Sequence, residues 1–223
     1  MAKNESIYKE GVFCPAAFPE AQGLYDPQNE HDACGVGFIC NLKGKKSHGI
    51  IRDALEILVR LTHRGACGCD PLTGDGAGIL LQIPHDFYKH ECEKIGIELP
   101  GEHEYGTGLV FLPQDETQRD ACKKIMEETI DAEGQKFLGW RKMPTSNKFI
   151  GKTAKASEPD IWQIFIGRGD SVKDDREFDR MLYIIRKVAE NRIFKSDMED
   201  KEDFYIPTLT CRIIIYKGLL LPE

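Results

Sequence analysis

Between Gly106 and Ile206 short apolar runs alternate with longer charged stretches, and their order leaves few folds open. Leu109-Val110-Phe111-Leu112 reads as a strand, Thr117 to Ala132 as a helix and Lys136 to Arg141 as a second strand. After a Lys/Ser/Thr-rich loop, Ile161 to Ile166 makes a third strand, Asp175 to Asn191 a second helix and Phe204 to Ile206 a short fourth strand. Strand-helix-strand-strand-helix-strand is the order of a split βαβ, ferredoxin-like unit. The expectation is an α+β protein in which residues 104–207 form a subdomain inserted in a main sheet. Lys123, Lys124, Glu127 and Glu128 read as solvated helix faces.

A chain of 223 residues with 41% hydrophobic residues can bury a continuous core. Thirty basic against 37 acidic residues leave a formal charge of -7, and no basic block is long enough to follow a phosphate backbone. Nucleic acid is therefore not an expected partner. No stretch approaches the roughly 20 apolar residues that cross a bilayer, and the N-terminus lacks a basic segment followed by an apolar run. The reading is a cytoplasmic protein without a membrane partner, whose eight cysteines are reduced thiols.

Residues 1–33 hold Pro15, Pro19, Gly23 and Pro27 and few periodic apolar positions, which reads as an irregular leader. It is either a surface arm or a segment destined for removal. Next comes His31-Asp32-Ala33-Cys34-Gly35-Val36-Gly37-Phe38, whose cysteine precedes an expected strand over Gly35 to Asn41. By itself such a thiol is ordinary packing material. From Ser47 to Thr62, Ile51, Leu55, Leu58 and Leu61 recur at helical spacing, with Ser47 a candidate N-cap. That helix leads into His63-Arg64-Gly65, which capping and the helix dipole could explain equally well. Three glycines in Gly74-Asp75-Gly76-Ala77-Gly78 precede a strand rather than follow one, so the loop is no dinucleotide fingerprint. A strand over Ile79 to Ile83, a short helix from His85 to Cys92 and a β-rich run from Thr208 to Gly218 complete the pattern. Cys67-Gly68-Cys69 lacks the two-residue gap of common zinc sites, and no metal is assigned there.

Taken together, Glu30 to Phe38, Leu61-Thr62-His63-Arg64-Gly65-Ala66, the Asp70 to Gly78 loop and Arg212-Ile213-Ile214-Ile215-Tyr216-Lys217-Gly218 resemble, in order, the N-terminal glutaminase domain of the glutamate synthase large subunit. That family belongs to the class II glutamine amidotransferases, with an N-terminal-nucleophile hydrolase αββα sandwich, here expected to be incomplete. The resemblance implies a propeptide of residues 1–33, cleavage between Ala33 and Cys34, and Cys34 as catalytic nucleophile. Cys34 would attack the side-chain amide of L-glutamine, release ammonia and form a cysteinyl thioester, the ammonia serving glutamate synthesis from 2-oxoglutarate. Arg64 matches the arginine that positions the nucleophile, while His63 and Asp75 match positions read as architecture.

The family's Arg-x-Ser-Thr and His-Asn-Gly-Glu elements do not occur, and none of the six histidines precedes Asn-Gly. Loss of one oxyanion donor costs about 100- to 1,000-fold in rate, so the resemblance implies a nearly inactive chain that continues, as a domain, past Glu223. Flavin, iron–sulfur cluster, the remainder of the large subunit and a small electron-donor subunit are expected only as further parts of a full synthase. Two other readings stay open: a non-catalytic fragment or subunit that associates with a separately encoded remainder, and a thiol or metal-binding module using Cys34, Cys40, Cys67 and Cys69.

Overall fold

The computed structural model describes residues 22–23, 35–61, 74, 76–148 and 150–218. In chain order these form α1 (His48–Arg60), β1 (Ala77–Gln82), α2 (His85–Glu93), β2 (Tyr105–Leu112), α3 (Glu116–Ala132), β3 (Lys136–Lys142), α4 (Lys152–Ala156), β4 (Asp160–Gly167), α5 (Asp175–Phe194) and β5 (Ile213–Gly218). The content is mixed α+β. Two compact units divide it. One gathers Leu80–Asn147 with Ser157–Tyr216, and the other holds α1, the start of β1, α4 and the end of β5.

The larger unit is built on an antiparallel sheet of order β2-β4-β3, with Val110 opposite Trp162 and Trp140 opposite Ile164. Strand side chains alternate between faces, so each face needs its own cover. On one face Val110, Leu112, Ile164 and Ile166 meet Cys122, Met126 and Ile130 of α3 and Phe178, Leu182, Ile185, Ala189 and Ile193 of α5. Those helix positions fall three and four residues apart, which places them on one stripe. On the other face Tyr105 and Phe165 pack with Ile83, Ile97 and the α2 residues Tyr88 and Cys92. The helix starts are capped by side chains. Asp115 accepts from Gln118 N at 2.8 Å, and Asp174 accepts from Arg176 N and Glu177 N at 2.9 Å. Gly134, at φ 68°, closes α3 by letting Gln135 N reach Ile130 O at 3.0 Å.

Beyond α5 the chain touches the outer edge of β2 at two isolated bridges, Phe111 with Tyr205 and Thr107 with Thr210, where a continuous short strand over Phe204 to Ile206 was expected. Pro207 between them has no N–H to donate, which interrupts the ladder. β1 and β5 pair in a separate two-stranded sheet. The Lys/Ser/Thr-rich loop holds the five-residue α4, too short to announce itself by periodicity. Three of the four charges read as solvated are engaged, two of them by tryptophans: Lys123 Nζ lies 3.0 Å from the Trp162 ring centroid, and Glu127 accepts from Trp140 Nε1 at 2.7 Å. Glu128 pairs with Arg192 at 2.5 Å.

In the smaller unit the expected strand over Gly35 to Asn41 does not form. The segment has no ladder partner among the described residues, and Val36 and Phe38 are 90% and 88% exposed. An apolar run becomes a strand only where a neighbour satisfies its backbone groups, and no described residue does so here. α1 forms as expected, but Ser47 occupies the N-cap position without a side-chain cap bond.

Candidate functional site

Cys34, Ala33 and Arg64, with His63 and Asp75, lie outside the described residues, as does the leader apart from residues 22–23. The described frame beside them is Gly35–Phe38, which follows Cys34 directly, and α1, which ends at Arg60, four residues before Arg64. Both belong to the smaller unit. Gly37 backs so closely onto Ile57 that an added Cβ would collide with the isoleucine Cγ2. Glycine at this position therefore lets the chain three residues beyond Cys34 lie against the helix that leads towards Arg64.

The described cysteines separate into one exposed thiol, Cys40, and three buried ones, Cys92, Cys122 and Cys211. Burial pushes Cys92 and Cys122 up to about 11. Cys211 is pushed up to about 12 by burial and by Asp179, to which its Sγ donates at 3.2 Å. Each stays a thiol at neutral pH, whereas a nucleophile needs its thiolate accessible. These three are packing residues. Cys67 and Cys69 lie outside the described residues. Among the described residues no group of three or more His, Cys, Asp or Glu side chains could hold a metal, and no helix is long and apolar enough to cross a membrane.

Sequence reasoning missed a polar layer on the α2 face of the large sheet. Arg141 donates to Gln163 Oε1 at 3.2 Å and to Glu91 Oε2 at 3.1 Å, Gln163 donates to Thr107 Oγ1 at 3.0 Å, and Thr107 donates to Ile164 O at 2.8 Å. Beside it the hydroxyls of Tyr88 and Tyr216 sit 2.6 Å apart, and burial first, then the neighbouring tyrosine, holds the Tyr88 phenol well above its ordinary range. Every member finds a partner, so the layer rigidifies the unit without offering a free acid or base. The strand patterns gave no sign of it, because Gln163 sits within an otherwise apolar run.

With the geometry in hand, comparison with known proteins decides the family. The family model described as "Glutamine amidotransferases class-II" matches residues 34–223. The chain belongs to the class II glutamine amidotransferases. This is a family of enzyme domains, and the match to it begins at Cys34. Among curated relatives, the glutamate synthase [NADPH] large chain of Bacillus subtilis is 47% identical over 205 residues, covering 92% of this chain and 13% of that protein. The glutamate synthase [NADPH] large chain of Azospirillum brasilense is 41% identical over 209 residues, covering 93% of this chain and 14% of the relative. Ferredoxin-dependent glutamate synthase 1 of Arabidopsis thaliana is 37% identical over 226 residues, covering 100% and 14%. The amidotransferase chain thus spans 13–14% of the length of these relatives.

Proposed function

We propose that this chain is the glutaminase part of a glutamate synthase, with Cys34 as an N-terminal nucleophile uncovered by removal of residues 1–33. The observation that carries the reading is the start of the family match at Cys34, the first residue after the leader. Chemistry makes the position intelligible. A free α-amino group titrates at about 7.7–8.0, so it can take the proton of its own residue's thiol near neutral pH. An internal Cys34 has only an amide nitrogen there. The thiolate attacks the side-chain amide carbon of L-glutamine, the C–N bond breaks with proton transfer to nitrogen, ammonia leaves, and water hydrolyses the γ-glutamyl thioester to glutamate. Arg64 positions the nucleophile, and the ammonia is consumed in glutamate synthesis from 2-oxoglutarate.

For the fold we propose an N-terminal-nucleophile sandwich that carries the β2-β4-β3 sheet as an inserted split βαβ unit. The antiparallel placement of β4 between β2 and β3 supports it. The family's oxyanion element His-Asn-Gly-Glu does not occur in these 223 residues, so we place the chain on its own close to inactivity, working with a remainder of the large subunit. Flavin and iron–sulfur cluster belong, in this reading, to that remainder and take no part in glutamine hydrolysis. We propose a cytoplasmic location. The exposed side chains of Val36, Phe38 and Leu42 favour association with further protein. They also fit the second reading, a non-catalytic fragment or subunit whose remainder is separately encoded.

The test joins the chain to the matching continuation of a relative and measures ammonia release from glutamine. The expected outcome is activity that Cys34→Ala abolishes; retained ammonia release in that variant would remove Cys34 from its role.

A further inference from the structure

The smaller unit is basic within an acidic chain. Its described residues include Lys43, Lys45, Lys46, Lys148, Lys152 and Lys155, whereas Asp53 and Glu56 are the only carboxylates among them, in a chain of formal charge -7. Each of those carboxylates faces an arginine of its own helix, Asp53 at 4.0 Å from Arg52 and Glu56 at 2.8 Å from Arg60. Lys43 and Lys45 are exposed and meet no carboxylate among the described residues.

These two lysines stand on a built turn. Asn41 Oδ1 accepts from Lys43 N at 2.9 Å and from Lys45 N at 3.4 Å, and Gly44, at φ 67°, donates its N–H to Asn41 O at 2.9 Å. The backbone is set before any partner arrives, which lowers the ordering cost of binding. Directly before and within the turn, Val36, Phe38 and Leu42 stand 90%, 88% and 99% exposed. Uncovered apolar side chains beside lysines without carboxylates fit a segment that is acidic and carries apolar residues. The chain has such a segment. From Glu20 to Asp32 the leader holds the carboxylates Glu20, Asp26, Glu30 and Asp32, no lysine or arginine, and the apolar pair Leu24-Tyr25. It joins the described chain at Gly35, eight residues before Lys43. Exposed ion pairs are weak one by one, but so short a tether gives an effective concentration on the order of millimolar. A contact with an intrinsic Kd of about 0.1 mM is then occupied about ten to one.

We propose that the acidic end of the leader docks on the turn at Lys43 and Lys45, its carboxylates on the lysines and Leu24-Tyr25 on Val36, Phe38 and Leu42. The inference rests on reading residues 1–33 as a leader and goes beyond that reading, because it makes the leader an intramolecular cover. Its removal then frees a basic, apolar surface on the smaller unit.

The test uses the whole 223-residue chain carrying Cys34→Ala, which keeps the leader attached, so failure of this contact and failure of leader removal are read in separate experiments. Chymotrypsin cleavage after Leu24 and Tyr25 reports how often the leader stands free, each rate being divided by that of a synthetic peptide of the same leader sequence. The expected result is that Lys43→Glu/Lys45→Glu speeds this cleavage about tenfold at low ionic strength, and that Glu30→Lys/Asp32→Lys added to it restores the slow rate. About 1 M salt should speed cleavage of the parent chain by a similar factor, because it screens exposed charges. The salt measurement needs no variant and decides the matter if a charge variant does not fold. Cleavage that salt and the lysine changes leave unaltered overturns the proposal, as does a charge swap that fails to restore protection. Protection that grows with protein concentration also overturns it, since a second copy is then the occupant.

Discussion

α5 and α1 have the same kind of sequence and opposite fates. α5 buries Phe178, Leu182, Ile185, Ala189 and Ile193 along one stripe and starts from an Asp174 cap that holds two backbone N–H groups. α1 carries Ile51, Leu55 and Leu58 at the same spacing, yet has no buried residue, leaves Leu55 and Val59 48% and 53% exposed, and gains no side-chain bond from Ser47. Periodicity therefore declares a face without supplying its cover. In the larger unit the cover is the β2-β4-β3 sheet, close in sequence to the helices that need it. Around α1 the described residues supply only part of one, with Gly37 against Ile57.

The sharpest break in this comparison comes from truncating each stripe. Phe178→Ala should cost about 3–5 kcal/mol, read as a lower denaturation midpoint of the larger unit, because it leaves a void among fully buried neighbours. Leu55→Ala should stay within about 0.5 kcal/mol. Equal effects would mean that α1 is as well covered as α5. Next in size is the polar layer on the second face: Gln163→Ala removes one buried partner each from Arg141 and Thr107, which keep Glu91 and Ile164 O, and should cost about 1–3 kcal/mol by chemical denaturation. The caps differ by less. Asp174→Ala should cost about 1 kcal/mol, whereas Ser47→Ala should change α1 helicity, followed by circular dichroism, hardly at all.

The dependence on pH tests the burial of the larger unit from another side. Cys92 and Cys122 have folded values raised to about 11, against about 8.5 for an unfolded thiol. A raised folded value gives stability that is full below about pH 8.5 and lost as pH rises towards 11, since the unfolded thiols ionise first. Denaturation midpoints at pH 7.5 and pH 10 should fall in that order, and Cys122→Ala should flatten the slope. A midpoint that rises with pH would contradict the burial of these thiols.

The sheet-and-helix order from β2 to α5 was legible because hydrophobic periods of two and of 3.6 alternate cleanly there. The fourth strand was over-read, since Phe204 to Ile206 has strand composition but the effect of Pro207 on the ladder depends on which edge it meets. Gly35 to Asn41 was over-read for a different reason: its residues suit a strand, and pairing needs a neighbour that composition cannot name. Arg141, Gln163 and the Lys123 contact with Trp162 were invisible, because they join residues that the chain holds far apart until the sheet registers. For the candidate site, motif order pointed to Cys34 and Arg64; both lie outside the described residues, so the fold adds nothing to their roles, and the family match runs from Cys34 to Glu223.

One measurement goes to the centre of the account: the intact mass of the chain after expression with the matching continuation of a relative. The expected result is a mature species that has lost residues 1–33 and begins at Cys34, and that alone releases ammonia from glutamine. A chain that keeps its first 33 residues and still hydrolyses glutamine would contradict it, because an internal Cys34 has no α-amino group to take its proton.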